Sequence, residues 1–169
     1  MAKAKAKAKA KPATATVNLD QPVPDFTLPS TAGEPFTLSA QRGTAVVLYF
    51  YPKDATPGCT LEAQQFRDLH AKLRRAGASI WGISRDSLAS HERFRAAQKL
   101  PFHLLSDADE SVCRLFDVIR EKNMYGRKVL GIERSTFLID QKGLLRHEWR
   151  KVKVADHAEI VLEALRALD

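Results

Sequence analysis

The chain has 169 residues, 44% of them hydrophobic and 28% charged, with a formal net charge of +7. That composition suits a globular chain with room for one sizeable core, and no apolar run approaches the ~20 residues a membrane helix needs. The two cysteines, Cys59 and Cys113, are too few for a disulfide framework and suit a reducing compartment; with no apolar segment after the charged start, a cytoplasmic location is expected.

Residues 1–16 alternate alanine with Lys3, Lys5, Lys7, Lys9 and Lys11, then pass through Pro12 into Ala/Thr, and hold almost no bulky apolar group. Such a segment cannot offset the entropy of ordering, so a disordered tail is expected. It carries most of the net charge and leaves the body close to neutral. The tail is read as a solubilising extension or as a weak, salt-sensitive contact for nucleic acid.

Residues 17–169 are expected to form one domain. Phe26-Thr27-Leu28 and Pro35-Phe36-Thr37-Leu38 flank Thr31-Ala32-Gly33-Glu34, a small hairpin. Ala45 to Tyr51 is a continuous apolar run of the kind that lies buried on both faces of a sheet. Pro52 ends it, and a Pro/Gly loop leads to a helix from about Thr60 to Arg75, with Ala63, Phe66, Leu69 and Leu73 on one face. Ser79–Ser84 reads as a second buried strand, Ser87–Gln98 as a helix and Phe102–Leu105 as a short strand.

Ser106-Asp107-Ala108-Asp109 resembles a cap for a helix carrying Val112, Leu115 and Phe116. Residues 119–132 read as a polar loop. Ser135–Ile139 and Leu144–Arg150 read as a hairpin about Asp140–Gly143, followed by a helix from about Asp156 to Leu168. The alternation predicts an α/β fold with a central sheet and helices on both faces. The closing hairpin requires antiparallel pairing, so the sheet is mixed: a thioredoxin-like plan.

The chemistry gathers where the first buried strand ends. Cys59 follows the Pro/Gly loop at the first turn of a helix, where backbone N–H groups are free and the partial charge is positive. Both favour the thiolate, the nucleophilic form. Displacement at a peroxide oxygen would build charge on two oxygens, so the site needs donors. The Cys59 N–H is one candidate. The Thr56 hydroxyl can accept from the peroxide or donate to the thiolate, and Pro52 limits water near the sulfur.

Pro52, Thr56 and Cys59 match the Pro-x-x-x-Thr-x-x-Cys signature of peroxiredoxins. The stretch Tyr51–Glu62 resembles the bacterioferritin-comigratory-protein, or PrxQ, subfamily, as do Gly131–Asp140, Ile83–Ser87 and Leu104–Asp107. The resemblance implies a thiol-dependent peroxidase that reduces hydrogen peroxide and organic hydroperoxides in antioxidant defence. It implies that Cys59 passes through a sulfenic acid, that Arg134 and Thr56 bind peroxide, that Pro52 shields the sulfur and that Glu62 orients Arg134. Thioredoxin, glutaredoxin or a small thiol is the implied reductant, and a monomer or weak dimer the expected assembly.

The chain departs from the pattern at the resolving cysteine. Gln64 stands five residues after Cys59, and Arg95 stands where the next helix carries that cysteine in other members. Either a foreign thiol completes the cycle, or Cys113 resolves after local unfolding or from another subunit. A disulfide reductase of Cys-x-x-Cys type is disfavoured, because Thr56 occupies the partner position. His70, His91, His103, His147 and His157 show no metal-ligand spacing, and no bound cofactor is expected because the cysteine carries the redox chemistry.

Overall fold

The computed structural model describes residues 16–168. The lysine-rich tail, apart from Thr16, lies outside the described residues, and its nucleic-acid reading lies there with it. The body opens with a small hairpin, β1 (Thr27–Leu28) and β2 (Phe36–Thr37). It continues through β3 (Ala45–Phe50), α1 (Pro57–Arg75), β4 (Ala78–Ser84), α2 (Leu88–Gln98), β5 (His103–Ser106) and α3 (Ser111–Leu115). It ends with β6 (Ile119–Met124), β7 (Arg127–Ile132), β8 (Ser135–Ile139), β9 (Leu145–Arg150) and α4 (His157–Arg166).

Five strands make the central sheet in the order β5-β4-β3-β8-β9. β3 runs parallel to β4, and β4 to β5. β8 is antiparallel to both β3 and β9. This is the mixed, thioredoxin-like arrangement expected. β3 is buried at every position, which is why its sequence lacks polar alternation.

Successive side chains of β3 feed two cores. Val47, Tyr49 and Tyr51 join Phe66 and Leu73 of α1 and Val161 and Leu165 of α4. Val46, Leu48 and Phe50 join Phe116, Phe137 and the N-terminal residues Val23, Leu28 and Phe36. Each large apolar side chain so buried contributes about 1.5 to 3 kcal/mol relative to exposure. Helices cover both faces, but unevenly. The second core has only the short α3, and residues 17–38 complete its cover.

Two expectations needed correction. α1 begins at Pro57 rather than Thr60, because proline at the first helical position loses no hydrogen bond and is already helical in φ. Residues 119–132 are no loop: β6 and β7 pair antiparallel from Ile119↔Ile132 to Met124↔Arg127. Tyr125 and Gly126 link them, both with positive φ (52° and 81°), as a tight two-residue hairpin turn requires.

Candidate active site

Cys59 sits in the first turn of α1, just beyond the carboxyl end of β3. Thr56 holds the N-cap position in extended geometry, and no side chain caps the helix. The Thr56 hydroxyl instead donates to Lys53 O at 2.9 Å. Of the two roles expected for it, this leaves its lone pairs to accept from a substrate O–H and removes donation to the sulfur. The first-turn N–H groups remain available to an incoming oxygen.

Arg134 arrives from the β7–β8 junction. Its Nη2 lies 3.5 Å from Cys59 Sγ, and its Nη1 donates to Glu62 Oε1 at 2.6 Å. Gly58 makes the approach feasible: a Cβ there would stand 3.1 Å from Arg134 Nη2. Glu62, one helical turn beyond Gly58, is fully buried. Burial raises its carboxyl to about 7, against the lowering pull of Arg134. Its Oε2 has no partner among the described residues, and neither has the buried hydroxyl of Tyr49. Cys59 itself is 2% exposed.

The loop between β3 and α1 is tied from below. Asp54 Oδ1 accepts from the Tyr51 hydroxyl at 2.6 Å, and Oδ2 from Ser90 Oγ at 2.8 Å. His91 Nδ1 lies 2.8 Å from the same Oδ2, while its Nε2 lies 2.9 Å from Leu105 O. A carbonyl only accepts, so Nε2 carries hydrogen, and one proton must lie between Nδ1 and Asp54. Asp54 N in turn donates to Asp86 Oδ2 at 2.9 Å. Asp54, Asp86 and His91 bring ligand-type atoms within 4.8 Å of one another, a grouping invisible in the sequence. Protein partners engage all of these atoms, and the arrangement acts as a tether. The sequence reading missed Asp54 and His91, though Asp54 lies within the motif itself.

Cys113 lies elsewhere. It belongs to the second core, while Cys59 belongs to the first, so the central sheet separates them. Cys113 is wholly buried, burial drives its thiol far above the ordinary range, and its N–H is fixed to Asp107 Oδ2 at 2.6 Å. The structure therefore does not bring the candidate resolving cysteine to the site. Cys59, Glu62 and Arg134 do converge, with Thr56 at the N-cap of the same helix and Pro52 directly after β3 in the chain. A cavity of about 380 Å³ lined by Ala45, Gly77 and Leu168 stands at the opposite end of β3 and touches none of them.

Residues 19–148 match the AhpC/TSA family. The peroxiredoxin Bcp of Xanthomonas campestris is 54% identical over 151 residues, which cover 88% of this chain and 94% of that protein. A solved structure of peroxiredoxin Q from the same organism superposes with a TM-score of 0.80 at 55% identity, over 84% of this chain and 90% of the other. A further structure concerns the alkyl peroxide reduction activity of the bacterioferritin comigratory protein of Xanthomonas campestris, with a TM-score of 0.80 and 54% identity over the same 84% and 90%. Among the described residues, no helix is long and apolar enough to cross a membrane.

Proposed function

Because this chain belongs to the AhpC/TSA family, as a peroxiredoxin of the Bcp/PrxQ type and hence a thiol-dependent peroxidase, we propose that Cys59 is its reacting sulfur and Arg134 its principal electrostatic partner. The observation that carries the assignment is the 3.5 Å approach of Arg134 Nη2 to Cys59 Sγ at an uncapped helix start. A guanidinium beside the sulfur is placed to pair with negative charge that the reaction carries through this atom, and in a site this dry the attraction is weakly screened.

The thiolate attacks the near oxygen of the hydroperoxide. An S–O bond forms, the O–O bond breaks, and the departing oxygen leaves as water or an alcohol after taking a proton. Cysteine is oxidised to sulfenic acid and the peroxide is reduced. Thr56 accepts from the substrate O–H, first-turn N–H groups and Arg134 stabilise the developing oxyanion, Glu62 orients Arg134, and Pro52 shields the sulfur. Hydrogen peroxide and organic hydroperoxides are both substrates in this reading. The relative with alkyl peroxide reduction activity supports the second class.

Two outside thiols then complete the cycle. The first displaces water from the sulfenic sulfur to form a mixed disulfide, and the second releases Cys59. Residues 17–169 act as one catalytic domain, as a monomer or weak dimer, in the reducing cytoplasm; the two free thiols suit that compartment. A nucleic-acid contact through the lysine tail would be an addition to this activity. Cys59→Ser should abolish peroxide consumption with dithiothreitol as reductant, and full retention of turnover in that variant would refute the assignment.

A further inference from the structure

The β6–β7 hairpin is a feature that the peroxide chemistry does not use. Neither strand joins the central sheet, and the arm stands in solvent from Glu121 to Leu130 apart from half-buried Lys122. Tyr125 at its tip is 99% exposed, Leu130 53%, Met124 48% and Val129 39%. Exposed apolar groups clustered on one small element mark contact surfaces, and Tyr, Met and Arg are the residues such surfaces favour.

The arm also belongs to the neighbourhood of the sulfur. β7 runs into Arg134 two residues beyond Ile132. Lys122 Nζ donates to Ile132 O at 2.8 Å, which ties the arm to the strand end that leads into Arg134. At the base, Glu133 N donates to Val118 O at 2.7 Å, closing the hairpin beside the site.

We propose that this arm is the docking surface for the protein that reduces oxidised Cys59: a protein dithiol whose reactive cysteine lies in an apolar patch with an acidic rim. The inference rests on the single-cysteine cycle above. Cys113 is sealed behind the sheet, so the reducing sulfur comes from outside. Charge selects the partner. Arg120 pairs with Asp117 and Glu133 at the base, and Lys128 lies 4.0 Å from Glu121, but Lys122 and Arg127 have no acidic partner among the described residues, so two copies meeting arm to arm would repel, and an acidic partner would be drawn in. The partner's first thiolate attacks the Cys59 sulfenic sulfur, releasing water as the S–S bond forms. Its second thiolate attacks the partner's own sulfur in that bond, freeing Cys59 and leaving the partner as a disulfide.

The test uses the full chain, with thioredoxin, its reductase and NADPH as the protein reductant and dithiothreitol as the small one. Tyr125→Ser/Leu130→Ser and Arg127→Glu/Lys128→Glu should each turn over with dithiothreitol as the parent does. Each should raise KM for thioredoxin about tenfold or more, and added salt should weaken the parent more than the charge-reversed variant. Unchanged KM for thioredoxin in both variants would overturn the proposal. So would equal losses with both reductants, which would make the arm a support for the peroxide site. Turnover of the parent with dithiothreitol but none with thioredoxin, or an oligomer that the variants dissolve, would likewise overturn it. No turnover of the parent with dithiothreitol would instead refute the peroxidase assignment of Cys59.

Discussion

At the sulfur, the buried Cys59 is met by a guanidinium that is itself held by a buried acid. Arg134 spans Cys59 and Glu62, so the protonation of Glu62 reaches the substrate site through one side chain. The native fold holds the Glu62 proton to about pH 7, whereas an unfolded glutamate releases it near its ordinary value of about 4.3. Between those values the native state binds the extra proton, so stability falls as pH rises through the window and levels off above it. The loss over the whole window is on the order of 3 to 4 kcal/mol. Glu62→Gln keeps an acceptor for Arg134 and lacks the titration. Urea unfolding at about pH 5 and about pH 8 should therefore show the parent losing stability relative to the variant. A constant difference between the two proteins at both pH values would remove Glu62 from this role.

Among the elements, the loop from Pro52 to Thr56 matters most, because it sets where α1 begins and hence where Cys59 stands. Its anchor is Asp54, whose carboxyl burial raises but which His91, Tyr51 and Ser90 together hold below the usual range. Ala55, with a φ of 64°, takes the left-handed turn that brings Thr56 back to Lys53 O. Asp54→Asn would leave His91 facing a weaker partner inside the protein, at a cost of about 3 kcal/mol. The expected result is a lower urea midpoint and faster amide exchange over residues 53–58, with slower peroxide turnover. Wild-type exchange in that loop would show that the tether does not position it. The hairpin at 119–132 was hidden from sequence reading for a physical reason. Both its faces meet solvent over most of its length, so no alternation of apolar and polar residues marks it. Its one local signal was Tyr125-Gly126 between stretches of equal length.

Across the whole molecule, the sheet is a partition. Alternate residues of β3 point to opposite cores, and the two thiols fall on opposite sides. One equivalent of peroxide should therefore add a single oxygen to the chain's mass, with no internal disulfide. Cys113→Ser should retain dithiothreitol-driven turnover. An internal Cys59–Cys113 disulfide in the oxidised protein would mean that the fold opens across its own sheet, and the single-cysteine cycle would fall.

Apart from β6 and β7, the order of elements was legible in the chain itself, as were the mixed sheet and the residues of the Pro52–Cys59 motif. Burial of β3 on both faces, the proline and glycine at a helix start, and the closing hairpin are local patterns, and local patterns survive in one dimension. Tertiary structure alone decided that Arg134 reaches Cys59, that Glu62 is buried beneath it, that His91 secures Asp54, and that Cys113 lies behind the sheet. These are contacts between residues far apart in sequence, set by strand order and by which face of a strand each side chain takes, and neither is encoded in any short stretch of the chain.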